Sequence, residues 1–153
     1  MANSNRVGAL YLDSFGYGLL GKLKAQSLAT TGTAQVKIPL LSGGLTNGGA
    51  VGNSGGVIVR QVTVQNPSGS VASADIGITI SSAGNMGASN VVVANVTLSA
   101  VSATGKYQDL AIAYPANTVI SGASTQALYV NINTASGNAN TVDICVYGEV
   151  VSF

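Results

Sequence analysis

The residues able to do chemistry are few and widely spaced: four aspartates, one glutamate, one cysteine and no histidine in 153 residues. General acid–base catalysis relies on titratable groups whose pKa values can be tuned toward neutrality, and histidine is the usual one. Without it, neither a Ser-His-Asp nor a Cys-His nucleophilic site can be assembled. A Cys/His zinc site and a disulfide within the chain are excluded on the same count, because Cys145 stands alone. Asp109, Asp143 and Glu149 have the chemistry for a glycosidase pair or a calcium site, but none lies in a loop with ligand spacing. They read as solvent-face strand residues. Cys145 is out of phase with Val142, Ile144 and Val146, which makes it either a second-face core residue or an interface residue. No cation stands near it in sequence to lower its pKa. The expectation is a chain that is not an enzyme and that needs no cofactor and no metal.

One segment imitates a nucleotide-binding loop. Gly16-Tyr17-Gly18-Leu19-Leu20-Gly21-Lys22 satisfies both GxGxxG and GxxxxGK. Leu23 occupies the position where a phosphate loop needs a hydroxyl for magnesium, and the next acid after Lys22 is Asp75, far beyond the ribose-binding position. Neither pattern has a βαβ context, and 20 glycines make chance matches common. Nucleic acid is not expected as a partner either, because six tyrosines and two phenylalanines do not interleave with clustered basic residues. Asn95-Val96-Thr97 matches a glycosylation acceptor but lies within an apparent strand.

The elements that must position these residues are strands. Ala74, Ile76, Ile78 and Ile80 alternate with Asp75, Gly77, Thr79 and Ser81, and Leu128, Val130 and Ile132 alternate with Tyr129, Asn131 and Asn133. Period two marks a strand with one buried face. Further strands are predicted over Ala34 to Leu41, Val57 to Gln65, Val91 to Ser99, Tyr107 to Ala113, Thr118 to Ile120 and Thr141 to Val150, about eight in all. Asn66-Pro67-Ser68-Gly69 has the residues of a tight turn, and Pro115 ends a strand whose amide pairing it cannot continue. With no helical-period segment between them, these strands predict an all-β fold, an antiparallel jelly-roll-like β-sandwich.

The first 56 residues read differently. Gly mixes with Leu and aromatics over residues 7–28, and residues 42–56 are almost entirely Gly, Ser, Asn and small apolar residues. The division expected is an N-terminal arm and Gly-rich loop over 1–56, with an early strand at 34–41 that can join the body, ahead of a β-sandwich over 57–153. A short helix is a further expectation for Leu19 to Ser27.

Charge patterning points away from solitary life. Only 7% of residues are charged and the net charge is +1, so little long-range repulsion keeps copies apart. Ile38 to Val59, Ile76 to Gly105 and Leu110 to Val142 contain no charge at all. Those runs are too rich in Gly, Ser, Thr and Asn for the ~20 apolar residues of a membrane helix, so no membrane partner is expected. The N-terminal run, interrupted by Asp13, does not form a convincing signal peptide. Strand faces of Thr, Ser, Asn and Gly stay wettable yet avoid the desolvation cost of burying charges in a contact. A homo-oligomer that covers such faces and edges follows. Most basic charge lies in the first 60 residues, where Arg6, Lys22, Lys24, Lys37 and Arg60 face only Asp13. Aromatic residues anchor interfaces, so Tyr11, Phe15, Tyr17, Lys22 and Lys24 are the expected interface residues.

Three segments carry a family likeness: VTVQNPSGSVASADIGITISSAG (62–84), ATGKYQDLAIA (103–113) and QALYVNINTASGNANTVDICVYGEV (126–150). In these the body resembles the head decoration, or cement, proteins and related minor virion structural proteins of tailed bacteriophages. The resemblance implies a β-sandwich subunit, a homotrimer, seated on the outer surface of a capsid. Its partners are then copies of itself and the major capsid protein, with no small-molecule substrate. It implies synthesis in the host cytoplasm and residence in the virion. The alternative is a carbohydrate- or receptor-binding module of a phage fibre or tail, which would present clustered exposed aromatics.

Overall fold

The alternation around Ile76 and Ile78 becomes a strand, and the same period builds the rest of the chain in the structure, a computed structural model that describes residues 18–37, 55–113, 118–121 and 127–152. In chain order the strands are β1 (Gly18–Ser27), β2 (Gly32–Lys37), β3 (Gly55–Gln65), β4 (Asp75–Thr79), β5 (Val91–Thr97), β6 (Gln108–Leu110), β7 (Ile120–Ser121), β8 (Ala127–Thr134) and β9 (Thr141–Ser152). The described residues contain no helix.

The strands form two antiparallel sheets. One runs β1-β9-β3-β6, with the two-residue β7 also on β3; the other runs β2-β8-β4-β5. Leaving β7 aside, the pairing is nested: β1 with β9, β2 with β8, β3 with β6, β4 with β5. This long hairpin-like ribbon is then wrapped so that β9 also meets β3 and β8 also meets β4. Nested pairing rolled into two four-stranded sheets is the jelly roll, and the all-β sandwich expected from the period-two pattern is what the chain adopts.

The core lies between the sheets. Val142, Ile144 and Val146 of β9 pack beside Val62 and Val64 of β3, and Val36, Ile76, Ile78, Leu128 and Val130 come from the second sheet. Each such side chain contributes roughly 1.5–3 kcal/mol by leaving water.

Several ladders carry register shifts, the β4 pairings with β5 and β8 among them, and two of the affected strands, β3 and β1, bear on the site. In β3 the residues that join the core are Val57 and Val59, then Val62 and Val64, and the extra residue falls at the register shift between Val59 and Gln61. A bulge inserts one residue and resets the phase. In β1 the register shifts twice, between Leu19 and Gly21 and between Leu23 and Gln26. The expected short helix at Leu19 to Ser27 is therefore a bulged strand. Strand β2 stands where the early strand of 34–41 is expected to join the body, and β1 adds residues 18–27 of the expected arm to the first sheet. Of the expected arm and loop, residues 1–17 and 38–54 lie outside the described residues, as does Pro115.

One end of the sandwich is cross-braced by its loops. The Leu28 amide donates to the Asn140 carbonyl at 3.4 Å, and the Ser136 amide donates to the Leu28 carbonyl at 2.8 Å. The Val71 amide reaches the Val101 carbonyl at 3.0 Å, and Leu98 reaches Ala74 at 2.9 Å. The side-chain amides of Asn138 and Asn140 both donate to the Ser70 carbonyl, at 3.0 and 2.9 Å. The loops after β1, β3, β5 and β8 thereby hold one another, which fixes the loops that flank the site described next.

Candidate functional site

The outer face of the β1-β9-β3-β6 sheet gathers the chemistry. Register places Lys22, Cys145, Thr63 and Asp109 in one row across the four strands. Gln65 and Asp143 lie opposite each other one step along. The even positions of β9 fill the core, so its odd positions, Asp143, Cys145, Tyr147 and Glu149, face outward.

Asp143 is only 3% exposed although it lies on this outer face. Its carboxylate accepts the backbone amide of Ala25 at 2.8 Å, the Lys22 ammonium at 2.9 Å and the Asn66 side-chain amide at 3.3 Å. Ala25 and Asn66 are the two described non-glycine residues with positive φ, 51° and 53°. Left-handed backbone is costly for an alanine, and such residues persist where surrounding bonds over-determine them. Both left-handed residues donate to one carboxylate. Burial by itself pushes the Asp143 pKa up, but the Ala25 amide, Lys22 and Asn66 outweigh it and hold it below the ordinary 3.8. Lys22 is raised in turn, chiefly by its bond to Asp143.

Beside this group a depression of about 420 Å³ opens on the surface. Lys22, Asp143, Gln65 and Asn66 form one side, and Gly105, Lys106 and Tyr107 the other. The second side is a turn closed by the Lys106 amide on the Ala103 carbonyl at 3.2 Å, with Gly105 at φ 78° in the third position. Positive φ at the third position alone defines a type II turn, which glycine satisfies without strain. Gln108, next along, is clamped to the preceding loop: its oxygen accepts the Ala100 amide at 3.0 Å and its nitrogen donates to the Thr97 carbonyl at 3.0 Å. Lys106 and Tyr107 are thus held from both sides.

The remaining acids are engaged separately. Asp109 accepts Thr63 at 2.6 Å and Gln61 at 3.1 Å, while Glu149 pairs with Arg60 at 3.0 Å. No three metal-ligating side chains gather among the described residues. Cys145 lies on the outer face yet is buried, and it accepts the Gln65 side-chain amide at 3.3 Å. The register puts a cation across from it, Lys22, which its sequence neighbourhood does not reveal. Burial nevertheless pushes the thiol above 9.0 by more than Lys22 draws it down, so it stays protonated at neutral pH.

The outer face of the other sheet has a different character. Its rows are Thr33–Asn131–Gly77 and Gln35–Tyr129–Thr79, without a charge. Apart from Lys37 and Asp75, the charged residues of the described strands all belong to the first sheet. The uncharged loop after β4 lies across part of this face. Thr79 donates its hydroxyl to the Asn85 carbonyl at 2.8 Å, and Met86 occupies the space that a side chain at Gly77 would need.

Of the expected interface residues, Lys22 and Lys24 lie on β1, Lys22 held by Asp143 and Lys24 exposed. Tyr11, Phe15 and Tyr17 lie outside the described residues. The imitation nucleotide loop is, from Gly18 to Lys22, part of strand β1. Gln65, Asn66, Lys106 and Tyr107 are site residues that sequence spacing does not single out; their one signal is turn chemistry at Asn66-Pro67 and Thr104-Gly105. No protein-family model, curated protein or solved structure matches the chain.

Proposed function

We propose that this chain is a virion structural protein, a decoration or cement subunit that binds the outer surface of a phage head and stabilises it without catalysis. The observation that carries the reading is the jelly roll whose β2-β8-β4-β5 sheet has uncharged central rows on its outer face, through Asn131 and Tyr129. Jelly rolls serve viral capsids repeatedly, although a fold by itself does not assign a role. A neutral face of Thr, Asn, Gln and Tyr can be covered by a neighbour at little desolvation cost. The family likeness of the three body segments supports the same reading. A subunit that binds only the assembled lattice stabilises it by mass action, with no reaction performed. The working unit is a homotrimer whose partners are its own copies and the major capsid protein, and its place is the virion surface after synthesis in the host cytoplasm.

The test is electron microscopy of heads prepared with and without the protein, paired with thermal disassembly. Extra density on the outer surface and a higher disassembly temperature are expected. Truncation must stop at residue 17, because Gly18 begins β1 and a deeper cut removes the Lys22 partner of Asp143. Loss of lattice binding by that truncated, folded protein would assign docking to the aromatic segment. Heads that bind no copies of the intact protein would dismiss the reading.

A further inference from the structure

The depression beside Asp143 is not accounted for by lattice docking, and its chemistry selects a ligand class. At about 420 Å³ it falls within the usual range of small-ligand sites. Tyr107 is 62% exposed, the one large apolar side chain left so open among the described residues. Its position is fixed by the type II turn before it and the Gln108 clamp after it. A rigid, exposed ring beside polar groups is a platform for a flat face bearing C–H groups.

The polar groups narrow the choice. Gln65 spends its amide nitrogen on Cys145, and Asn66 spends its own on Asp143. Each amide keeps its carbonyl oxygen and a second N–H, an acceptor and donor side by side that match the hydroxyls of a sugar. Two ammonium groups line the same depression; Lys22 is committed to Asp143, while Lys106 has no ion-pair partner among the described residues. A phosphate or sulfate would satisfy the donors but leave the two amide oxygens and the Tyr107 ring unused. A neutral apolar ligand would leave Lys106 and both amides unmatched. From this arrangement we infer that the depression is a subsite for an acidic saccharide: a pyranose ring stacks on Tyr107, its hydroxyls donate to Gln65 and Asn66, and its carboxylate meets Lys106. Both walls are already in place without the ligand, which limits the ordering cost of binding. One ring, rather than a cluster, makes this a site for a single sugar unit. It is independent of the lattice role, and capsid binding by a Tyr107→Ala protein leaves it untouched.

The experiment titrates the intact protein, by calorimetry and by amide chemical shifts, with hexasaccharides of galacturonate, mannuronate and hyaluronan, with neutral galactohexaose, and with sodium phosphate. At least one uronate oligomer is expected to bind, displacing resonances of Gln65, Asn66 and Lys106. Tyr107→Ala weakens that binding by about tenfold or more, equivalent to about 1.4 kcal/mol. Lys106→Gln weakens it comparably but leaves any binding of galactohexaose unchanged. Both residues are exposed, so these variants retain wild-type melting behaviour. The inference is overturned if no uronate oligomer binds, if either substitution leaves uronate affinity unaltered, or if phosphate competes on equal terms.

Discussion

Asp143 joins parts of the chain 118 and 77 residues away, at Ala25 and Asn66. Removing it leaves a backbone amide, a side-chain amide and an ammonium, all on exposed residues, without their shared acceptor. Asp143→Ala is expected to cost about 1–2 kcal/mol in urea unfolding, the scale of charge-assisted bonds whose donors water can then reach. The pKa shift sets the pH dependence. Because the folded-state value lies below the ordinary 3.8, the contribution is whole above that pH and fades as pH falls through the depressed value. Asp75, lowered by Thr97 and Thr134, acts in the same direction. Asp143→Ala should therefore flatten, not abolish, the acid limb of a stability–pH curve. Lys22, raised above 10.5, makes its contribution below that pH and loses it as pH rises past the raised value. Ala25→Gly separates strain from bonding: it keeps the amide donor while relieving about 1 kcal/mol of left-handed strain, offset by a similar backbone entropy. Its melting temperature should match or exceed wild type, and a loss above about 1 kcal/mol would show that Ala25 is not strained. The outward phase of Asp143 in its strand was legible in the sequence. Its partners were not, because they come from β1 and from the turn after β3.

At the scale of elements, legibility tracked the alternation of residue types in the sequence. The strands around Ile76, Leu128 and Ile144 alternate cleanly, and they were readable together with Val57 to Gln65, Val91 to Ser99 and the short Thr118 to Ile120. Strand β1 was not, since its two bulges place Leu19, Leu20 and Leu23 at spacings that mimic a helix. Such a spacing satisfies either period, and only the pairing with β9 decides between them. Where β9 meets the β3 bulge, Gly148 sits between Gly18 and Val59. A Cβ there would strike the Ile58 carbonyl oxygen, a backbone atom that cannot rotate away. Gly148→Ala is expected to destabilise by about 1–3 kcal/mol, as overpacking does. Gly105→Ala meets open space, so only its positive φ is penalised, and about 1 kcal/mol is expected from that alone. Thermal melts of the two variants, with intact β-sheet circular dichroism, check the contrast.

Across the whole molecule, the two outer faces divide the labour: most strand charges lie on the β1-β9-β3-β6 sheet, while the β2-β8-β4-β5 sheet presents Thr, Gln, Asn and Tyr in its middle rows, with Lys37 and Asp75 at strand ends. The edge strand β2 is regular, pairing with β8 without a bulge, and its exposed Thr33 and Gln35 are neutral. Edge strands usually carry lysines or bulges against unwanted pairing. In β2 only Lys37, at its end, does so, and Thr33→Lys with Gln35→Lys extends that protection along the strand. If this face is the covered one, the double variant should melt within about 0.5 kcal/mol of wild type but lose self-association in multi-angle light scattering and occupancy on heads. Unchanged association would move the interface elsewhere on the molecule. Part of the face is already covered by the chain's own loop after β4, through Thr79 and Met86, which the run of uncharged residues alone does not disclose.

The sequence by itself determined the class of fold. Alternation with period two and turn residues at the breaks act locally, and the lack of histidine removes whole chemistries whatever the fold. Only the tertiary structure decided what the few charged residues do. Bonds such as those of Asp143 to Lys22 and Ala25, and of Asp109 to Thr63, join strands distant in sequence, and bulges in β1 and β3 reset the phase that local pattern reading depends on. The depression between Asn66 and Tyr107 exists because the rolled ribbon brings two turns to one sheet face, a consequence of long-range register that no local spacing encodes.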